Sequence, residues 1–418
     1  MNEFNWTFVA IAVLGLFGLF SFLATVVLSL TWYERKMLAR IQMRVGPSRV
    51  GPHGLLQPVA DVFKLMAKED VRPDVSSKSL FWIAPVLVLV PAFLVWITIP
   101  FADGLVVQPQ DLGLLYVVAI STLGIVGLLL AGYTSASKYS VLGGIRAAAQ
   151  LVSYEIPIIV VVLAIAILVQ SLDLRDVITG NEVVIGERVI TFNGQGAIPF
   201  AAIMPLGAVI FLIAGLAELG RTPFDIHHAE SEVVGGPFLE YSGAHWAVFF
   251  LAEYFNTFVI AALTVLLFFG GWSWPSPPES IFGTALEEWQ TDALGVAWFL
   301  FKTYLVIGLF FWFRGTYPRL RIDQLMAFGW QILIPLSFVN LILMAIVMFY
   351  EWPLWAMPAI SVPLLAATAY LAARRNDRKV NTGSVTLYRR QKRADGGNEL
   401  VPPAAATSEE AGARGAGN

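Results

Sequence analysis

Cysteine is absent from this 418-residue chain. Its absence excludes disulfides, thiolate metal sites, thiol nucleophiles and cysteine-held iron–sulfur clusters. Histidine is scarce: His53, His227, His228 and His245 are the only four, and none lies deep in an apolar run where paired helices could grip a haem iron. No glycine-rich dinucleotide fingerprint follows a strand-like segment. By the usual means, then, the chain holds no flavin, nicotinamide, haem or cluster, and any redox centre it serves lies elsewhere.

Charge is the next shortage. Charged residues make up 14% of the chain, against about 25% in soluble domains. Hydrophobic residues reach 57%, with 29 Phe and 13 Trp, and the mean hydropathy is +0.69. Such a composition predicts an all-α polytopic membrane protein. Runs of about 20 apolar residues mark the spans. They fall at 6–31, 80–100, 113–133, 147–170, 199–217, 246–269, 293–313 and 325–350, with a proline-interrupted ninth at 353–373. The first run is too long for a signal peptide and lacks a basic leader, so it is expected to stay in the mature protein.

Lysine and arginine set the orientation. Nine basic residues crowd into 32–79, whereas the loops on the opposite side hold only Arg175 and Arg188. The N-terminus is therefore expected outside and the charged loops in the cytoplasm. Within the first inner loop, Gly54 to Glu69 alternates Leu55, Leu56, Val59, Val62, Phe63 and Met66 with Gln57, Asp61, Lys64 and Lys68 at helical spacing. This predicts an amphipathic helix along the membrane surface. Its polar stripe carries both signs of charge, which fits a wet groove shared with another chain better than a plain lipid anchor. Beyond Asp395 the tail is rich in Gly, Ala, Pro and Glu and is expected to be disordered.

Ionisable residues inside spans are costly, at roughly 2.5–3.5 kcal/mol each on insertion scales. Glu155, Glu253 and Lys302 are such residues. Simple pairing to hold the bundle, with Lys302 as one partner, is the plainer reading. The functional reading is a hydrated proton path. The loop Glu218 to Tyr241, ELGRTPFDIHHAESEVVGGPFLEY, packs five carboxylates, one arginine and two histidines between apolar runs. On charge alone it would be a solvated loop. Yet its acids Glu218, Glu230, Glu232 and Glu240 continue into the spans as Glu253 and Glu155, which favours an acid path. Glu218 and Arg221, three apart at a helix end, are expected to share a face, the arginine keeping the carboxylate ionised.

Four separated segments on the inner side carry a resemblance: LTWYERKMLARIQMRVGPSRVGPHGLLQPVADVFKLMAKE, YSVLGGIRAAAQLVSYEIP, AELGRTPFDIHHAESEVVGGPFLEYSG and FRGTYPRLRIDQLMAFGW. Over about residues 1–350 the chain closely resembles one family of membrane subunits of proton-translocating NADH:quinone oxidoreductase, respiratory complex I, the family called subunit 1 in mitochondria. The resemblance implies eight or nine tilted transmembrane helices plus the amphipathic helix, in a bacterial plasma membrane. It implies a quinone tunnel, with Glu34, Arg35, Asp61, Lys64, Arg221, Phe224 and Asp225 at its wall or mouth. An acid path through Glu155, Glu218, Glu230, Glu232, Glu240 and Glu253 would link quinone chemistry to proton translocation. The family usually has a small or apolar residue and then an acid where this chain has His227 and His228, so one carboxylate of the path is missing and His228 would have to substitute as the proton carrier. Arg314, Arg319, Arg321 and Asp323 would contact peripheral subunits.

The implied substrate is quinone, ubiquinone or menaquinone, with flavin and iron–sulfur clusters in partner subunits and no metal or redox centre in this chain. The implied partners are the other complex I subunits, membrane lipid and quinone, with no nucleic acid. The organisation expected is a membrane domain over 1–350, the ninth span over 351–373 and a basic, then disordered, cytoplasmic tail over 374–418. Two other classes compete. One is the homologous membrane component of a hydrogenase or of another reduced-carrier dehydrogenase complex, which shares the architecture. The other is a stand-alone proton-coupled transporter, disfavoured because the chain shows no internal repeat.

Overall fold

In the computed structural model, residues 6–185, 188–192, 194–195, 198–226, 233–275, 280–281, 284–285, 287–350, 352–382, 389–392 and 398–401 are described. The protein is a polytopic helical membrane protein. Among the described residues, seven helices are long and apolar enough to cross a bilayer, and two shorter apolar helices accompany them. Short two-stranded ribbons, such as β1 (Asn181–Ile185) paired antiparallel with β2 (Arg188–Phe192), are its extended structure.

Helix α1 runs Trp6–Ile41. Its 36 residues span about 54 Å at 1.5 Å per residue, well beyond a hydrocarbon core of about 30 Å. By hydropathy this span ends at 31, because Glu34 and Arg35 interrupt the apolar run. Charge interrupts hydropathy without interrupting a helix, and no strong breaker occurs before Gly46 and Pro47. Consequently Glu34, Arg35 and Arg40 ride on a rigid extension of the first span. The amphipathic helix α2 is Gln57–Ala67, somewhat shorter than the 54–69 expected. It packs on α1.

Helices α3 (Lys78–Leu94), α4 (Gly113–Thr134) and α5 (Lys138–Val169) follow in sequence and pack on their neighbours. Helix α5 starts nine residues before the expected 147 and carries Pro157 without breaking. Gly132 makes the α4–α5 approach possible, because a Cβ there would lie 2.9 Å from the Gly144 Cα. After short α6 (Asp176–Thr179) and α7 (Phe200–Ile203), Met204 breaks the helix and Pro205 opens α8 (Pro205–Glu218).

Helix α9 (Gly243–Phe268) is the centre of the bundle and is buried over most of its apolar stretch. Phe258 on α9 stacks on Trp96 at 4.4 Å, and both are fully buried. Helix α10 (Glu288–Thr316) packs against α1 and α9. Helices α11 (Ile322–Phe328) and α12 (Ile334–Phe349) are joined by a wide π-type turn at Gly329–Leu333. Pro335, two residues beyond the turn, cannot donate to the Gln331 carbonyl, which accounts for the loosened turn. Exposed apolar residues such as Leu14, Phe17, Leu115, Val126, Phe338 and Ile342 give the bundle the greasy surface that a bilayer requires.

The chain divides into two units, 1–361 and 362–418. Helix α13 begins at Ala356 and ends at Thr382, past the 373 expected for the ninth span. A ribbon then pairs Arg389–Lys392 with Asn398–Val401. The expectation of disorder beyond Asp395 falls, apart from 398–401, outside the described residues.

Candidate functional site

The unwound segment after α8 carries Arg221 into the protein interior, where it is 2% exposed. Its Nη1 donates to Glu34 Oε2 at 2.7 Å, and its Nη2 lies 3.3 Å from Glu253 Oε1. Glu34 arrives on the extension of α1 and Glu253 on α9, so three elements meet at one guanidinium. The Tyr254 hydroxyl donates to the same Glu34 oxygen at 2.7 Å, and Arg314 from α10 binds the other. The Tyr254 and Phe311 rings flank the guanidinium, with its carbon 4.7 and 5.5 Å from their centroids.

Burial alone would pull Arg221 below the ordinary arginine pKa, but Glu34 and then Glu253 outweigh it and hold the group above that value. Arg221 is therefore a fixed positive charge shared by two carboxylates. The expected pairing of Arg221 with Glu218 is not what forms. Arg221 turns towards α1 and α9 because unwinding after Glu218 ends the helical register that would have stacked the two side chains.

Glu218 instead faces a cleft with an empty volume of about 1260 Å³, counted out to its mouth. Glu155 from α5 and Glu253 from α9 line the same cleft, together with Ser121 and Asn256. Ser121 Oγ lies 3.5 Å from Glu155 Oε1. The remaining lining is apolar, with Leu114, Phe211 and Phe249 among it. Glu253 thus belongs to both sites, touching Arg221 on one side and the acid-lined cleft on the other.

A second charged cluster adjoins through α1. Arg35 Nη1 donates to Asp61 Oδ2 at 2.5 Å, with Lys64 Nζ 3.5 Å from the other oxygen of that carboxylate. Burial would raise Asp61, yet the Arg35 contact outweighs it and holds the carboxyl below its usual range. The polar stripe of α2 therefore engages α1 of the same chain, while Val62, Phe63 and Met66 are exposed.

Phe224 is buried, its ring 5.8 Å from Tyr154 and 6.3 Å from Phe328. Next to it, Asp225 accepts from Arg319 Nη2 at 2.7 Å. Arg314 and Arg319, read from the resemblance as subunit contacts, each bind a carboxylate of this chain, Glu34 and Asp225. Arg321 and Asp323 are exposed, and Asp323 sits in the first turn of α11. Glu240 is half-buried in the turn before α9 and does not line the cleft. His227, His228, Glu230 and Glu232 lie outside the described residues.

Among the described residues, Lys302 pairs with no acid. Its ammonium donates to the Phe269 and Trp274 carbonyls at 3.0 and 2.6 Å, just past the C-terminal end of α9, where a helix dipole and unpaired carbonyls favour a cation. The residues missed from sequence were the polar partners without charge. Tyr254 and Ser121 carry no charge to draw attention, although Tyr254 stands directly beside Glu253.

A family model described as NADH dehydrogenase matches residues 14–345. The chain belongs to this family. A relative from Dehalococcoides mccartyi, named as the H subunit of NADH-quinone oxidoreductase, is 40% identical over 345 residues, covering 82% of this chain and 88% of the relative. Relatives of the same name from Anoxybacillus flavithermus and Brevibacillus brevis are each 43% identical. The first covers 82% of this chain and 96% of the relative, the second 77% and 88%. The family match ends at 345, before α13 begins.

Proposed function

We propose that this chain is the membrane subunit of a respiratory NADH:quinone oxidoreductase that lines the passage for quinone and transmits the charge change of quinone reduction to a proton path. The observation carrying the reading is the shared arginine: Arg221 binds Glu34 and Glu253 at once, and Glu253 is also a wall of the cleft holding Glu155 and Glu218. Reduction of a quinone takes up two protons, so a redox event near Arg35, Asp61, Phe224 and Asp225 alters the field at Glu34. A weaker hold of Glu34 on Arg221 strengthens its hold on Glu253, and the coupled carboxylates of the cleft redistribute their protons. Glu230, Glu232, Glu240 and His228 extend this path in the proposal. Arg314, Arg319, Arg321 and Asp323 stand on the side that meets peripheral subunits.

The proposed setting is a bacterial plasma membrane, with the N-terminus outside and the charged loops cytoplasmic. Flavin and iron–sulfur clusters belong to partner subunits in this reading. The shared name of the relatives favours it over a hydrogenase-type or other carrier-linked complex.

The test is to replace Arg221 by Met and Glu253 by Gln in separate strains. Quinone reductase activity and proton pumping are then measured on membranes normalised for assembled complex. Arg221→Met is expected to lower both, and Glu253→Gln to lower pumping at least as much as electron transfer. Wild-type values of both quantities in both strains would remove the shared arginine from the mechanism.

A further inference from the structure

Gln150 lies on α5, 1% exposed, five residues before Glu155. Its Nε2 donates two hydrogen bonds of 2.7 Å, one to the Ala217 carbonyl and one to the Phe224 carbonyl. Those two carbonyls bracket the unwound segment. Ala217 immediately precedes Glu218, Phe224 immediately precedes Asp225, and Arg221 lies between them. An amide nitrogen carries two protons in one plane at a fixed angle, so the pair of bonds sets the separation of the two carbonyls. The orientation of the amide follows from its partners: a flipped side chain would place Oε1 against two carbonyl oxygens, acceptor against acceptor.

We infer that Gln150 is the positioning residue of the Arg221 segment, holding its two ends in the frame of the helix that carries Glu155. This rests on the function proposed above. Other contacts fix the segment elsewhere: the Leu320 N–H donates to the Pro223 carbonyl at 2.9 Å, and Arg319 holds Asp225. Both of those come from the loop after α10 and act on the downstream half. Gln150 alone among these three also holds the upstream end beside Glu218, so it sets the spacing between the cleft acid and the shared arginine. Placement to a fraction of an ångström governs such contacts, and a misplacement of about 1 Å is enough for a large loss of rate.

The experiment compares Gln150→Leu, Gln150→Glu and Arg221→Met in membranes containing the whole complex. Assembled complex, turnover per complex with a short-chain quinone, and KM are measured at several pH values. Gln150→Leu donates nothing, and turnover per complex is expected to fall about tenfold at every pH. The carboxyl introduced by Gln150→Glu can donate one hydrogen bond while protonated, whereas its ionised form sets a negative oxygen against two carbonyls. Gln150→Glu is therefore expected to recover much of the turnover at the acid end of the range and to lose it towards the alkaline end. Both variants with wild-type turnover, KM and pH profile per complex would overturn the inference. So would loss of assembled complex in both at every pH, because Gln150 would then serve the fold alone. Arg221→Met with full activity would instead overturn the proposed function on which the inference stands.

Discussion

Arg221 holds Glu34 at 2.7 Å and Glu253 at 3.3 Å, and the two carboxylates come from α1 and α9, helices far apart in sequence. The contact to Glu34 is a hydrogen bond and the tighter of the two, so Glu34 is the main partner of this buried cation. Deleting one partner of a buried ion pair costs about 3–5 kcal/mol because the other charge is left unpaired. Glu34→Gln and Arg221→Met are each expected to reduce assembled complex and activity. The double variant is expected to lose much less than the sum of the two, read as a double-mutant cycle on thermal stability of the solubilised complex. Additive losses would show that the pair does not act as a unit.

Glu155 and Glu218 line one cleft, and neighbouring carboxylates titrate as a set. Glu155→Gln and Glu218→Gln are each expected to lower proton pumping in sealed vesicles, with the double variant little worse than either alone. Independent, multiplicative losses would mean that the two acids work in separate routes.

Lys302 caps the carbonyl end of α9. Replacing it with Met leaves two carbonyls without that donor, at a cost of about 1–3 kcal/mol. The expected result is a lower melting temperature of the complex with an unchanged KM for quinone. A changed KM at unchanged stability would place Lys302 in the quinone site instead.

Asp61 is held below the ordinary aspartate range by Arg35. Because its folded pKa is depressed, the contribution of this contact to stability is present above the unfolded value of about 3.9 and is lost as pH falls through the lower folded value. The clasp between α1 and α2 is therefore expected to be constant across neutral and mildly acid pH. Asp61→Asn removes it at all of these pH values, and protease sensitivity of the loop around α2 reads the difference. Equal protection of wild type and Asp61→Asn near neutrality would show that the contact does not hold α2 in place.

The amino-acid sequence alone determined the class of this protein and roughly where seven of its long apolar helices lie, because a bilayer demands long apolar runs and tolerates charge within them only at a cost. It also singled out Glu155, Glu253 and the Glu218–Tyr241 loop, since acids stand out against an apolar background. Only the tertiary structure decided who pairs with whom. Glu34 meets Arg221 across 187 residues, and Lys302 donates to two backbone carbonyls. Gln150 gained its place because two carbonyls converge on it. Hydropathy and spacing are properties of neighbours along the chain. A partner across the bundle is set by where unwound segments turn and how helices cross, which local sequence does not encode.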